Sequence, residues 1–313
     1  KQVPCNRILT ITKDVMVMSA VLNKILALKR DNPYSENKTI EELRNEHRSA
    51  GSLVPLPEGT EYEFVNALNV ESEWISCGKV NSESVFLFIH GGGYYRGSVA
   101  ASRATVARIS SASCVRCLSI DYRLAPENIF PAAVDDTYVA YKWLVDQGFS
   151  PKNIVVGGMS AGGGLTLALL LKLKELNESQ PAGAVLMSAW TDMTQSGQTM
   201  YDNSDVDPII SKDYLDRMAR LYLSGKSAKT KFASPLFGNL EGLPPMLVQV
   251  GSAETMLDDS RRFAKKAKKA NVDVDYEPWD DMFHGWQGSA HVLDEAKLAI
   301  DSIGRFCRKV LEL

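Results

Sequence analysis

Ile154–Gly164, with the sequence IVVGGMSAGGG, is the stretch that decides the fold. Its first residues are apolar and β-branched, which predicts a buried strand, and the apolar residues after it predict a helix. Ser160 stands in the turn between them, flanked by glycines at positions 158 and 162. Such a crowded turn exposes a serine hydroxyl at the positive end of the following helix. The alternative is a glycine-rich helix start without chemistry, but the flanking strand and helix favour Ser160 as a nucleophile.

Short apolar runs alternate with longer amphipathic segments from residue 84 to the C-terminus. This alternation is typical of an α/β protein in which helices cover both faces of a largely parallel sheet. Strands are predicted at residues 85–89, 115–120, 154–156, 183–187, 246–250 and 272–276. Helices are predicted at residues 102–111, 132–146, 163–176, 257–270 and 292–311. Residues 62–68 and 73–77 predict antiparallel strands at the sheet edge, which gives about eight strands in all.

Two regions do not follow this alternation. Residues 1–50 predict amphipathic helices at 12–30 and 40–46, and residues 191–232 predict one helix at 212–223. We expect both regions to form a helical cap over the carboxyl edge of the sheet, where α/β proteins bind ligands, with residues 51–313 as the catalytic domain. The first helix could instead lie on a membrane surface. Lysine and arginine are not massed on its polar face, so packing against the protein is favoured.

His90–Gly93 follows the strand predicted at residues 85–89 and contains three consecutive glycines. Glycines leave backbone N–H groups uncovered, and such groups can stabilise the negatively charged oxygen that develops during acyl transfer. A plain turn or a phosphate loop is the alternative, although the lysine and hydroxyl residue of a phosphate loop do not follow. Which two of the glycines would donate stays open. The predicted oxyanion hole consists of Gly91, Gly92, Gly93 and Ala161.

A serine hydroxyl needs a base to act as a nucleophile at neutral pH, and the chain has four histidines. His47 lies in the N-terminal region, His90 belongs to the glycine loop, and His291 falls in a predicted helix. His284 lies in the loop between the last predicted strand and the last predicted helix. In chain order, a base at this place would follow the nucleophile and the acid. We therefore predict His284 as the base.

The carboxylate that orients this base should follow the strand predicted at residues 246–250. Glu254, Asp258 and Asp259 are the candidates. The two aspartates would begin the next helix, where negative charge already suits the helix dipole. Glu254 comes first after the strand, so we favour it and keep Asp258 as the alternative.

The overall charge and composition limit the classes of molecule that the protein is expected to bind. The 313 residues carry a formal net charge of −3 and the sequence pI is about 5.9, so no basic field favours nucleic acid. No run of about 18 apolar residues predicts a membrane span. The apolar run at residues 8–12 is too short for the core of a signal peptide. We therefore expect a cytoplasmic protein.

Five cysteines are scattered through the chain, an odd number that does not indicate a disulfide framework. Cys114 and Cys117 have the C-x-x-C spacing of some redox and metal sites. No second pair of ligands lies nearby in sequence, so we interpret both as buried structural thiols.

Taken together, these motifs resemble those of the hormone-sensitive-lipase-like branch (family IV) of the α/β-hydrolases, in particular its bacterial carboxylesterases. The resemblance extends from about residue 62 to the end of the chain. It is carried, in order, by His90–Gly93, Asp121–Glu127, Phe130–Ala133 with Asp135 and Asp136, Gly158–Gly162, and His284–Gly285.

Two positions depart from the family's pattern. Glu254 stands where the family usually has aspartate, and threonine rather than proline follows it. Its separation from His284, 284 − 254 = 30 positions, is nevertheless similar to the family's spacing. Met159 stands before the serine, where the family commonly has aspartate or another polar residue, so a carboxylate is missing beside the nucleophile.

The resemblance implies an α/β-hydrolase fold with a mostly parallel sheet and a helical cap. It implies a carboxylesterase that cleaves short-chain esters through an acyl-enzyme, with Ser160, Glu254 and His284 as its triad. It also implies no cofactor and no metal, a small-molecule ester as the substrate, and a homodimer paired through the last strand and helix. A lactonase, thioesterase or amidase would use the same triad, whereas a non-catalytic ligand receptor of this branch would lack the histidine.

Overall fold

The computed structural model describes residues 20–31 and 38–313, and its centre is a single eight-stranded sheet. The strands are β1 (Thr60–Ala67), β2 (Val70–Cys77), β3 (Asn81–Ile89), β4 (Val115–Asp121), β5 (Ile154–Met159), β6 (Gly183–Met187), β7 (Met246–Gly251) and β8 (Val274–Trp279). They are arranged in the order β1-β2-β4-β3-β5-β6-β7-β8. β2 runs antiparallel to β1 and β4, and all other neighbours are parallel. The predicted α/β class and its antiparallel edge are confirmed.

Helices cover both faces of this sheet. They are α1 (Ala20–Asp31), α2 (Ile40–Ser52), α3 (Val99–Ser113), α4 (Ala132–Asp146), α5 (Ala161–Glu175), α6 (Thr199–Asp202), α7 (Lys212–Leu223), α8 (Leu257–Lys269) and α9 (Asp294–Val310). Val85, Leu87 and Ile89 of β3 pack in the apolar cluster that includes α4 and α5. Phe86 and Phe88 pack in the cluster that includes α3 and α9. Burial of each such side chain stabilises the folded protein by about 1.5–3 kcal/mol, so packing on both faces stabilises the sheet.

Among the described residues, no helix combines the length and the apolar character needed to cross a membrane.

The register of the parallel strands determines which loops meet. Ile89 of β3 pairs with Gly158 of β5, and Met159 of β5 pairs with Met187 of β6. The carboxyl ends of these strands therefore lie at one edge of the sheet. The glycine loop, the serine turn and the segment after β6 leave that edge side by side.

Most boundaries lie within a few residues of the predictions, and local hydrogen bonds explain the differences. β3 begins at Asn81 rather than at residue 85, because Asn81 already pairs with the start of β4. α3 begins at Val99 rather than at residue 102, because the hydroxyl of Ser98 caps it by accepting a hydrogen bond from the amide of Ala101. The short helix α6 was not predicted.

The N-terminal predictions are described only in part. The helix predicted at residues 12–30 is described from Ala20 onward as α1, and residues 12–19 lie outside the described residues. The helix predicted at residues 40–46 continues to Ser52 as α2, so residue 50, predicted as the end of the cap, falls inside a helix. Thr39 and Glu42 form a capping box at its start, which fixes where the helix begins.

Arg44 attaches α2 to the loops at the carboxyl edge of the sheet. Its guanidinium donates to the carbonyl oxygens of Tyr95 at 2.8 Å and Ala125 at 2.9 Å. It also forms a bidentate ion pair with Glu127, with distances of 3.0 and 2.7 Å. One side chain thus connects three parts of the chain that are distant in sequence.

The C-x-x-C motif spans the turn between α3 and β4. Cys117 is buried in β4, as predicted, but Cys114 is exposed, so the prediction that both thiols are buried was wrong for Cys114. The reason is that Cys114 ends α3 in the left-handed conformation, with φ of 58°, and this turns its side chain outward. Among the described residues, no group of three or more potential ligands could hold a metal ion.

Candidate active site

Ser160 occupies a strained backbone position at the turn from β5 into α5. Its φ of 55° and ψ of −118° lie in a region that residues other than glycine rarely adopt. Three backbone hydrogen bonds hold it there: its amide donates to the carbonyl of Met187 at 2.9 Å, and its carbonyl accepts from Trp190 at 3.0 Å and Gly164 at 3.1 Å. The fold therefore holds a conformation that the chain alone would avoid.

The two glycines that flank this turn are required by close backbone packing. A Cβ atom on Gly158 would lie 2.6 Å from the carbonyl oxygen of Ile89 and would collide with the backbone of Gly162. A Cβ atom on Gly162 would collide with Ile89 and lie 2.6 Å from the carbonyl oxygen of His90. Neither position can accept a side chain unless the turn moves, so the glycine pattern around Ser160 has a steric cause.

The glycine loop lies against the serine turn. A Cβ atom on Gly91 would be 3.3 Å from the Cβ of Ser160, which shows how closely the loop approaches the nucleophile candidate. Gly92 and Gly93 have φ of 117° and 63°, and within the described residues their amides donate to no protein acceptor. The amide of Ala161 is the first of α5 and has no partner within the helix. The four residues of the predicted oxyanion hole thus meet around Ser160.

His90 holds this loop in place rather than facing substrate. Its ring is 1% exposed and stacks on Tyr122 with 4.2 Å between the ring centroids. Its Nδ1 lies 2.7 Å from the carbonyl oxygen of Gly91, and the Tyr122 hydroxyl donates to the His90 carbonyl at 3.1 Å. These contacts give the glycines a fixed backbone path.

His284 and Glu254 form a buried pair beside the serine turn. Nδ1 of His284 lies 2.8 Å from Oε2 of Glu254, and the Glu254 side chain is fully buried. Burial by itself lowers the pKa of His284, but the hydrogen bond and the negative charge of Glu254 outweigh it, and the net pKa is raised. The pair can therefore stabilise an imidazolium, as an acid–base pair requires.

Ser188, which sequence reasoning missed, connects this pair to the sheet. Its hydroxyl donates to Oε1 of Glu254 at 2.7 Å and accepts from the amide of Gly285 at 3.2 Å. The amide of Gly251 donates to the same Oε1 at 2.6 Å. Ser188 directly follows β6 at the carboxyl edge, and that placement was the one signal in the sequence that could have identified it.

Neither alternative acid contacts His284. Asp258 accepts hydrogen bonds from the amides of Gln198 and Thr199. Asp259 accepts from the amides at positions 191 and 192, and burial together with the charge of Asp192 raises its pKa to about 7. Both aspartates hold the start of the 191–232 segment, so Glu254 alone of the three candidates reaches the histidine.

Met159 fills the space where a polar residue was expected before the serine. A Cβ atom on Gly285 would lie 3.0 Å from its sulfur, so the thioether packs against the histidine loop. Gly285 has φ of 70°, which is a second reason for glycine at that position. Apolar packing thus connects the serine turn to the loop that carries His284.

A cavity of about 310 Å³ opens over these groups. One side, which we call the sheet-edge wall, is formed by Gly91–Gly93, Ser160 and His284. The other side, the helical wall, is formed by Lys29 of α1, His47 of α2, and Tyr214 and Met218 of α7. Ser160 and His284 therefore face one cavity of a size that suits a small organic molecule.

Comparison with known proteins identifies the family. Residues 86–288 match the family described as the alpha/beta hydrolase fold. The chain belongs to this family. The crystal structure of an esterase from the bacterial hormone-sensitive lipase family matches this α/β-hydrolase with a TM-score of 0.92 and 42% sequence identity, covering 95% of this chain and 100% of the other.

Two curated bacterial relatives agree with this assignment. The acetyl-hydrolase of Streptomyces hygroscopicus is 37% identical over 246 residues, which cover 79% of this chain and 82% of the relative. An esterase of Acinetobacter venetianus is 37% identical over 229 residues, which cover 73% of this chain and 76% of the relative. This α/β-hydrolase is a carboxylic ester hydrolase of the hormone-sensitive-lipase-like type (family IV), as the resemblance implied.

Proposed function

We propose that this hydrolase cleaves short-chain carboxylic esters with Ser160 as nucleophile, His284 as base and Glu254 as the acid that orients His284. The observation that carries the proposal is the 2.8 Å contact between His284 and Glu254 at a cavity that Ser160 also lines. In this arrangement Nδ1 of His284 carries the proton shared with Glu254, and Nε2 is left as the acceptor for the serine hydroxyl.

The reaction proceeds in two steps. His284 takes the hydroxyl proton as Oγ of Ser160 attacks the ester carbonyl, and the tetrahedral oxyanion accepts hydrogen bonds from the amide of Ala161 and from amides of the glycine loop. His284 then protonates the alcohol oxygen, and the C–O bond breaks to leave an acyl-enzyme. Water, deprotonated by His284, attacks the acyl-enzyme, and the acid is released as the proton returns to Ser160.

The size of the cavity supports short acyl groups. A volume of about 310 Å³ is at the low end of the ligand pockets found in proteins. The relative from Streptomyces hygroscopicus is an acetyl-hydrolase, which is consistent with a small acyl group. We propose further that residues 1–50 and 191–232 act as the cap that limits chain length, since both regions contribute to the helical wall.

Replacement of the nucleophile is the direct test. Ser160→Ala should lower kcat for p-nitrophenyl acetate by about four to six orders of magnitude, because triad members act as a unit. Ser111→Ala, at an exposed serine of α3, is the matched control and should keep wild-type activity. Mass spectrometry after treatment with a sulfonyl fluoride should locate the label on Ser160. Turnover retained in folded Ser160→Ala protein would disprove the assignment.

Substrate series separate the related reactions. p-Nitrophenyl esters of increasing acyl length should lose kcat/KM once the acyl chain exceeds the cavity, and matched thioester, lactone and anilide substrates test the other acyl hydrolases that share this triad. We expect the short esters to be turned over fastest.

The assembly state and location are further proposals. Within residues 20–31 and 38–313, no strand pairs with the outer edge of β8, which supports pairing of two copies through β8 and α9. Light scattering of the purified protein tests the homodimer. The cytoplasmic location stays a prediction.

A further inference from the structure

The cavity over Ser160 has an unusual charge for the binding site of a neutral ester. Two cations, Lys29 and Arg96, line it beside the imidazoles of His47 and His284. Of the described residues that line it, none is aspartate or glutamate. A neutral acyl or alcohol group gains nothing from such cations, whereas an anionic group would gain from their positive potential.

Arg96 is the cation of this cavity that contacts aromatic rings on two sides. Its guanidinium carbon lies 5.6 Å from the ring centroid of Tyr95 and 5.7 Å from that of Tyr214, so two aromatic rings hold it. Its Nε is buried, and within the described residues it has no hydrogen-bond partner.

Other arginines of this chain show what Arg96 lacks. Arg103 is bonded through two nitrogens to the carboxylate of Glu73, and Arg123 is bonded in the same way to Asp136. A planar guanidinium is suited to bidentate pairing with a carboxylate. Arg96 therefore has unused donor capacity at the cavity.

His47 stands next to Arg96 in a form that can donate without adding charge. Burial, together with the positive charge of Arg96, lowers the pKa of His47 to about 3, so the ring is neutral at pH 7. Its Nδ1 is buried and, within the described residues, has no hydrogen-bond partner. A neutral ring beside a guanidinium can contribute one further hydrogen bond to an anion.

Lys29 is the other cation of the cavity, and it lies beside the loop that carries His284. Its Nζ is 5.0 Å from the ring centroid of Phe283. Burial lowers the pKa of Lys29, and the charge of Asp207 opposes that shift. Arg96, whose planar guanidinium can bind a carboxylate through two nitrogens, is the cation better suited to pair with one.

We propose that this cavity takes esters that carry a carboxylate on the acyl or alcohol part, and that Arg96 pairs with that carboxylate. The inference rests on the proposed function, since the bound ester is the one that Ser160 attacks. Arg96 lies three residues after Gly93 in the sequence, so the same loop would supply both the oxyanion donors and the contact that determines specificity.

Two matched substrate pairs test the proposal and locate the carboxylate. Mono-p-nitrophenyl succinate against p-nitrophenyl butyrate tests the acyl side, and 4-acetoxybenzoate against its methyl ester tests the alcohol side. Arg96→Met should lower the anionic-to-neutral ratio of kcat/KM by about 10- to 100-fold on one pair, the loss expected for a hydrogen-bonded charge pair. Arg96→Lys should retain part of the ratio. Arg220→Met, at an exposed arginine of α7, makes the same charge change outside the cavity and should leave the ratio unchanged.

A measurement on the wild-type protein covers the case in which Arg96→Met fails to fold. Raising the ionic strength should lower kcat/KM for the anionic ester relative to its neutral counterpart. By calorimetry, the double variant Ser160→Ala, Arg96→Met should bind the anionic ester more weakly than the single variant Ser160→Ala. An unchanged ratio on both pairs, or an equal loss in Arg220→Met, overturns the proposal. If the neutral esters are still cleaved and Ser160→Ala still abolishes cleavage, the proposed function stands regardless of that result.

Discussion

The two walls of the cavity differ in how their polar side chains are bonded. Behind the sheet-edge wall, Glu254 supports His284 and accepts hydrogen bonds from Ser188, Gly251 and His284. At the helical wall, the buried nitrogen of His47 has no partner among the described residues, and neither has Nε of the neighbouring Arg96. The hydrogen bonds of Glu254 can hold the geometry of His284 without a ligand. The side chains at the helical wall keep unpaired nitrogens, so this wall is suited to selecting the substrate.

Of the changes to the groups that support His284, removal of Glu254 should have the largest effect. Glu254→Gln replaces an acceptor oxygen with an amide nitrogen, which disfavours the histidine tautomer that accepts the serine proton. We expect kcat to fall about 10⁴-fold, as for triad acids in general. Asp258→Asn is the comparison, because Asp258 bonds backbone amides and does not contact His284. If Asp258→Asn caused the larger loss of kcat with the fold intact, Glu254 would be the wrong acid.

Removal of Ser188 should have a smaller effect on the support of His284. Ser188→Ala deletes one donor to Glu254 and frees the amide of Gly285, and we expect kcat to fall about 10- to 100-fold, the value of a hydrogen bond to a charged group. Without that donor, the negative charge of Glu254 would act more strongly on His284 and would raise the pKa of His284 further. The acid limb of the pH–rate profile should therefore move to higher pH, which a purely structural defect would not cause. A lower rate with an unmoved limb would contradict this role for Ser188.

The pH dependence of the wild-type enzyme tests the electrostatics of the pair. His284 acts as base only when neutral, and because Glu254 raises its pKa, it stays protonated to higher pH than a free imidazole. The rate should thus rise with pH through a value above the ordinary histidine pKa of about 6.5. In Glu254→Gln the residual activity should have its acid limb at lower pH, since the stabilising charge is gone. These limbs are read from kcat/KM measured on a neutral ester.

The sheet-edge wall was largely predictable from sequence, because each of its parts follows a strand. A nucleophile after β5, glycines after β3 and a histidine after β8 are local patterns in fixed chain order. The structure brings Ser160 and His284 to one cavity, and Glu254 lies buried behind it, 2.8 Å from Nδ1 of His284. Ser188 was missed, because a single serine after β6 carries no pattern and its partners are 66 and 97 residues away in the chain.

The helical wall could not be predicted in this way. Its position depends on tertiary contacts such as those of Arg44, which connect residues more than 80 positions apart. The exposure of Cys114 and the contact between Arg96 and Tyr214 likewise depend on how segments pack together. An amphipathic pattern predicts only that a helix has an apolar face, and it does not say what that face packs against. Patterns of residue type therefore predicted the catalytic residues well, but they did not predict the surface that selects the substrate.

The smallest effect on activity should come from removing Arg44, which attaches α2 of the helical wall to the loops at the sheet edge. Arg44→Met removes the ion pair to Glu127 and leaves the carbonyls of Tyr95 and Ala125 without this donor, which should destabilise the protein by about 1–3 kcal/mol in urea unfolding. Because neither carbonyl belongs to the sheet-edge wall, kcat for p-nitrophenyl acetate should change by less than about threefold, the scale of ordinary surface effects. Arg48→Met, at an exposed position of the same helix, should change neither quantity. A fall in kcat as large as that of Ser188→Ala would mean that the helical wall also holds the reaction geometry. The distinction between a wall that holds the reacting groups and a wall that selects the substrate would then be wrong.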